Sequence, residues 1–231
     1  MPRVLITGAS RGVGLALAGV FAEQGWDVVA TCREGAANSS LGELSRQYAG
    51  QIRIETLDVS DAASLDALTG SLDGLPIDIL VNNAGITHRD TQLGSLDYDA
   101  WRAVLDVNLL APVRVTEALL ENVLASDQKK IVAISSSLGS ISRTSSGNYF
   151  YRTSKAALNM AMRSLAHDLK ERGVTIALLS PGYVDTDFTH GVGGQKVSAA
   201  ESAQGLFEAM TAMTIADSGR FFRYTGEDLD W

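Results

Sequence analysis

A chain of 231 residues suits one α/β domain, large enough to bury roughly 70 to 75% of the surface it exposes when unfolded. Its 27 acidic against 19 basic side chains leave a net charge of -8 and a pI near 4.9, which disfavours nucleic acid and anionic lipid as partners, since both repel an acidic surface at long range. The lone Cys32 excludes an internal disulfide, three scattered histidines offer no metal-ligand spacing, and the run Val4-Leu5-Ile6 is too short for a signal segment or membrane span, so a cytoplasmic protein acting on small molecules without a metal is expected.

Short apolar runs alternate with helical periodicity from end to end, the pattern of strands joined by crossover helices in a parallel sheet. The first strand is expected near Arg3 to Thr7 and leads into Thr7-Gly8-Ala9-Ser10-Arg11-Gly12-Val13-Gly14. Leu17, Val20 and Phe21 then form the apolar stripe of a helix that stops at Gly25. Glycines at such a turn let backbone N–H groups approach a diphosphate, which also gains from the helix dipole. The spacing is not Gly-x-Gly-x-x-Gly, so it is the position of the turn, after the first strand, that marks a nucleotide site. The second strand, Asp27 to Cys32, ends at Arg33, where NAD-selective sites place an acidic residue. Arg33 can instead bind a 2'-phosphate, with Arg11 reaching the same group, so NADP(H) is expected over NAD(H).

Strands three and four are expected at Arg53 to Leu57 and Ile77 to Val81, followed by a helix after Asp97 in which Trp101 packs. The fifth, Lys130 to Ser135, precedes Tyr151-Arg152-Thr153-Ser154-Lys155, which opens a helix with the stripe Leu158, Ala161, Met162, Leu165 and Leu169, ending at Gly173. Helix positions four apart share a face, so the Lys155 ammonium can lie near the Tyr151 phenol and is expected to draw its pKa down from ~10, which fits carbonyl and alcohol chemistry. Tyr149 is a rival phenol, but position 153 is threonine rather than lysine. Met160 and Met162 read as helix packing. Thr175 to Leu179 and Phe221 to Tyr224 complete the strands, and Ser198-Ala199-Ala200-Glu201 fits a capping box. His88, Arg89 and His190 fall near the expected substrate region without an assigned role, and the glycine-rich stretch from Asp187 to Ser198 reads as a small lid. The architecture expected is a single Rossmann-type doubly wound domain over residues 1–231, a seven-stranded parallel sheet with helices on both faces and the ligand beyond the carboxyl ends of the strands.

These residues resemble the short-chain dehydrogenase/reductase family over essentially the whole chain. Thr7 to Gly14 is similar to its Thr-Gly-x-x-x-Gly-x-Gly turn, Asn82-Asn83-Ala84-Gly85 to its motif after the fourth strand, and Tyr151 with Lys155 to its active-site pair. Within the family, Ile134 to Ser140 and Tyr151 to Met160 resemble the C-factor-like and Sniffer-type carbonyl reductases. The resemblance implies Ser136 as the active-site serine, flanked by Ser135 and Ser137, and Asn108 as a fourth member that holds a water in a proton relay. Pro112, four residues on, would leave the Asn108 carbonyl free for that water. It also implies cofactor contacts at Gly8, Ser10, Arg11, Gly12, Val13, Gly14, Arg33, Asp58, Val59, Asn82, Ala84, Gly85, Tyr151, Lys155, Pro181, Gly182, Val184 and Thr186, with Asp58-Val59 at the adenine and Pro181 to Thr186 at the nicotinamide. The activity implied is NADPH-dependent reduction of a small aldehyde, ketone or dione. Assembly as a homodimer or homotetramer through helices near Asp99 to Leu124 and Tyr151 to Lys170 is implied too. The rival expectation is a noncatalytic protein that binds NADP(H) to control a partner, as in C-factor-like signalling.

Overall fold

The computed structural model describes residues 1–33, 39–88, 92–191 and 193–231, so Arg89 lies outside the described residues. Seven strands form one parallel sheet in the order β3-β2-β1-β4-β5-β6-β7. They are β1 (Arg3–Ile6), β2 (Asp27–Cys32), β3 (Ile52–Thr56), β4 (Ile79–Asn82), β5 (Lys130–Ile134), β6 (Thr175–Ser180) and β7 (Phe221–Arg223), each at its expected place. Alternation along these strands divides the core into two layers. Val4, Ile6, Val28, Ala30, Ile79, Val81, Val132 and Ile134 join one apolar cluster, whereas Leu5, Val29, Leu80, Ile131 and Ala133 join the other. Both faces are buried, which is why the strands read as unbroken apolar runs instead of polar-apolar alternation.

Helices α1 (Gly12–Glu23), α2 (Ser40–Gln47), α3 (Ala62–Ser71), α4 (Tyr98–Leu105), α5 (Ala111–Ala118), α6 (Leu120–Leu124), α7 (Tyr149–Leu169) and α8 (Ala199–Ala212) connect the strands. The α1 and α8 side chains Leu17, Phe21, Leu206 and Met210 pack on the first face, and Leu65, Leu68, Val115, Leu158 and Met162 of α3, α5 and α7 on the second. The direction in which successive strands are added to the sheet reverses at β1, whose parallel neighbours are β2 on one side and β4 on the other, and the crevice at that switch point is where ligands bind such sheets. The β7 edge is covered by the tail, where Arg223 N–H donates to the Glu227 carbonyl at 2.8 Å and Leu229 N–H to that of Phe221 at 2.9 Å, so it is not left open to pairing.

The helix stops fall at Gly25 and Gly173, with φ of 79° and 77°, as a residue without Cβ allows. Two local expectations fail. Ser198 accepts from Glu201 N–H at 3.0 Å, but the Glu201 carboxylate accepts from the Tyr224 hydroxyl at 3.0 Å, so only half of the capping box forms. Met162 is fully buried, whereas Met160 is 68% exposed on the outer face of α7.

Candidate active site

Tyr151 lies in the first turn of α7, whose preceding residue Asn148 takes the left-handed conformation at φ 55°. One turn on, Lys155 is buried and its Nζ donates to the Ile134 carbonyl at the tip of β5, 2.7 Å away. The chain then leaves β5 through a short 3-10 turn, Ser137–Gly139, laid against α7. A Cβ on Gly139 would stand 2.9 Å from the Lys155 carbonyl carbon, and only glycine admits that approach. Ser135 Oγ donates to Asn159 Oδ1 at 2.6 Å, so its hydroxyl is spent on α7, while Ser136 is hydrogen-bonded to the Tyr151 phenol. Of the three adjacent serines, Ser136 faces the tyrosine.

Asn108 comes from the opposite side. Pro112 has no N–H, and the helix widens there into a π turn, Asp106–Leu110, in which Ala111 N–H donates to the Asp106 carbonyl. The fully buried Asn108 side chain accepts from Ile86 N–H at 2.8 Å, donates to the Ile86 carbonyl at 2.8 Å, and donates to Ser154 Oγ at 3.0 Å. Ser154 in turn donates to the Tyr151 carbonyl at 2.8 Å. Gly85 sits between: a Cβ there would lie 3.3 Å from Asn108 Oδ1 and 3.9 Å from Lys155 Nζ. Asn108, Ser136, Tyr151 and Lys155 thus gather at the carboxyl ends of β4 and β5.

The electrostatics differ from the simple expectation that Lys155 lowers the phenol. Burial pushes Tyr151 up to about 12, opposed only by the hydrogen bond with Ser136, and burial pushes Lys155 down to about 8. The Lys155 Nζ stands 5.8 Å from the centre of the Tyr151 ring and points to Ile134, so loss of solvent outweighs the attraction between the two. At neutral pH the phenol is therefore protonated, ready to give a proton, beside a lysine still mostly charged.

The glycine turn fits a dinucleotide. Gly8 and Gly12 have φ of 68° and 57°, and a Cβ on Gly8 would meet Ala84 Cα at 2.9 Å. Among the described residues no side chain caps the α1 N-terminus, and its first turn carries no acidic residue, so backbone donors remain for a phosphate. Asn83, absent from the sequence-derived site, braces the turn: its Nδ2 donates to the carbonyls of Thr7 and Gly8 at 2.8 and 3.0 Å, and Thr7 Oγ1 accepts from the N–H groups of Asn83 and Ala84. Only the doubled asparagine in the sequence hinted at it. Thr186 reaches this turn from β6, with its Cγ2 3.4 Å from where a Gly12 Cβ would be. Pro181 and Gly182 are held by Ser202 Oγ, which donates to the Pro181 carbonyl at 2.6 Å, and Val184 is buried in a bridge to Val197. Buried Asn82 Nδ2 donates to Thr116 at 3.1 Å, and its Oδ1 has no partner among the described residues. Ser10 is exposed at the turn and Val13 packs partly on the core.

At the far end Arg33 is exposed at the tip of β2, close enough to Asp58 to help keep that carboxyl below its ordinary range. The stronger causes are the hydrogen bonds Asp58 accepts from the Ser60 hydroxyl and N–H, at 2.6 and 2.9 Å. Val59 beside it packs on the second core face. Arg11 has an acidic neighbour that the sequence did not foretell: its guanidinium lies 3.6 Å from Asp187, which follows β6. Both partners are more than 70% exposed, so the pair contributes under about 1 kcal/mol and an incoming phosphate can displace it. The set-aside His88 stacks obliquely on Phe150, 5.6 Å between ring centres, and Trp101 stacks on the same Phe150 ring at 5.0 Å. Among the described residues no cluster of potential metal ligands occurs and no helix is long and apolar enough to cross a membrane.

A family model described as short chain dehydrogenase matches residues 2–196. The 1-hydroxy-2-glutathionyl-2-methyl-3-butene dehydrogenase of Rhodococcus sp. (strain AD45) is 34% identical over 238 residues, covering 100% of both chains. The C-signal protein of Myxococcus xanthus is 38% identical over 159 residues, 68% of this chain and 93% of that one. The NADPH-bound carbonyl reductase from chicken fatty liver superposes with a TM-score of 0.92 at 30% identity, over 100% of this chain and 99% of the other.

Proposed function

This chain belongs to the short-chain dehydrogenase family and is an NADP-dependent oxidoreductase; on that footing we propose that it reduces a small aldehyde, ketone or dione to the alcohol, with Tyr151 as proton donor. The observation that carries the reading is the protonated, half-buried Tyr151, its phenol hydrogen-bonded to Ser136, with Lys155 one turn further along α7. Bound NADPH supplies the hydride that the carbonyl carbon receives. Ser136 hydrogen-bonds the carbonyl oxygen and fixes its distance to the phenol. Tyr151 gives its proton to that oxygen as negative charge develops there, and general acid catalysis of this kind contributes about 10² to 10⁴ in rate. The phenolate left behind is stabilised by Ser136 and by the Lys155 ammonium. Lys155 returns a proton to it, drawing on solvent through a water held by the Asn108 carbonyl, which Pro112 leaves without its usual helix donor.

The cofactor-holding roles go to Gly8, Gly12 and the uncapped start of α1 at the diphosphate, Arg33 at the 2'-phosphate with Asp58 and Val59 nearby, and Pro181 to Thr186 with Lys155 at the nicotinamide end. A noncatalytic sensor would need the phosphate site alone and has no use for the four-residue convergence of Asn108, Ser136, Tyr151 and Lys155. Pairing of copies through α4 to α6 and α7 belongs to the same reading, and Leu110 in the π turn between α4 and α5 and Met160 on α7 stand exposed. The test is a panel of aldehydes, ketones and diones assayed by NADPH consumption with NADH in parallel. Turnover of several members with NADPH supports the reading; cofactor binding with no turnover of any member contradicts it.

A further inference from the structure

We propose that Phe188 forms an aromatic wall of the carbonyl site and biases it toward carbonyl compounds bearing a flat, conjugated substituent, an inference that rests on the reductase reading above and specifies its substrate class. Phe188 lies in the short 3-10 turn Asp187–Thr189 after β6, and its ring centre is 5.5 Å from that of Tyr151 at an interplanar angle of 60°. It is 39% exposed, so part of an aromatic ring remains open beside the phenol that donates the proton.

Its position is fixed from both ends. Thr189 Oγ1 donates to the Val184 carbonyl at 2.5 Å and accepts from Thr186 N–H at 3.3 Å. The base of the segment is closed by the Val184–Val197 bridge, in which Asp185 N–H donates to the Val197 carbonyl and Val197 N–H to that of Tyr183, both at 2.9 Å. Lys196 adds an ion pair to Asp185 at 3.0 Å. A segment tied this way keeps its aromatic ring at the site without a large closing movement.

A carbonyl oxygen that receives the Tyr151 proton must come within about 2.6 to 3.2 Å of the phenol oxygen. Substituents on the carbonyl carbon then fall within reach of a ring packed against that phenol. Aromatic pairs are favoured at centroid separations of about 4.5 to 7 Å beyond their area burial, by an amount equal to about two- to tenfold in affinity. A saturated ring of the same size fills the same space without that gain.

The test compares kcat/KM for benzaldehyde and cyclohexanecarbaldehyde with NADPH in the wild type, Phe188→Leu and Phe188→Tyr, with the NADPH dissociation constant measured in each. The aromatic-to-saturated ratio is expected to fall about two- to tenfold in Phe188→Leu and to be retained in Phe188→Tyr, with the NADPH constant unchanged. A ratio independent of residue 188 would overturn the wall while leaving the reductase reading intact. A ratio that falls equally in both variants, or only together with NADPH binding, would overturn it as well. Absence of NADPH consumption by the wild type with every carbonyl compound tried overturns the function reading, and the wall with it.

Discussion

Replacing Gly139 by alanine probes the contact that places Ser136 against Tyr151. The added Cβ would stand 2.9 Å from both the carbonyl carbon and the Cβ of Lys155 and 3.1 Å from its oxygen, where ordinary contact lies at 3.4–4 Å. The obstacles are largely backbone of α7, so turn and helix must part by at least about half an ångström. Gly139 is not in the left-handed region, and the effect is steric alone. Overpacking of this kind costs about 1 to 3 kcal/mol, which in a domain of this length lowers Tm by about 2 to 12 °C. The same displacement lengthens the Ser136–Tyr151 contact. Because a misplacement of about 1 Å costs about 100-fold in rate, kcat should fall about tenfold. Thermal melting and NADPH oxidation give the two numbers. Gly70→Ala is the matched control: it lies in α3 with nothing within 4 Å of a new Cβ, and alanine there should leave kcat unchanged and raise stability by up to about 1 kcal/mol. If Gly139→Ala melted and turned over like the wild type, the packing of the turn on Lys155 would not be what positions Ser136.

Other expectations follow from the charges. Arg33→Ala should weaken NADPH about tenfold or more and leave NADH within about twofold, measured as dissociation constants at fixed salt; equal losses would remove Arg33 from the 2'-phosphate. Lys155 is depressed to about 8 in the folded chain, below its ordinary value of 10.5. It loses its charge as pH rises through that value, and kcat/KM for NADPH, which reports the free enzyme, should decline above about pH 8. The same shift has a sign for stability: the unfolded chain binds the extra proton between about 8 and 10.5, so this group's burial penalty is full below pH 8 and relieved as pH rises across that window. Lys155→Met should abolish that rise in a pH series of denaturant melts.

Much of this was legible in the sequence because burial on both faces of a parallel sheet demands continuous apolar runs, and Val4-Leu5-Ile6 and Ile131-Val132-Ala133 are such runs. The helix stops at Gly25 and Gly173 were legible for a similar reason, a backbone conformation that glycine adopts without strain. Side-chain direction was not. Arg11 turns to Asp187, Glu201 to Tyr224, and Met160 to the outside of α7, choices set by neighbours distant in the chain. The Tyr151–Lys155 spacing put the two groups one turn apart on α7 but did not foretell the direction of the Tyr151 shift, since periodicity places two groups on one face and says nothing of how far each is removed from water. Phe188 against Tyr151 and Asn83 beneath the glycine turn likewise arise from the meeting of separate strand ends.

The proton-donor role of Tyr151 is tested most directly by Tyr151→Phe, which removes one oxygen and keeps the ring that packs on Phe188. The account predicts an NADPH dissociation constant within about twofold of the wild type and a single-turnover rate lower by about 10² to 10⁴. Turnover near the wild-type rate with the cofactor equally bound would contradict it.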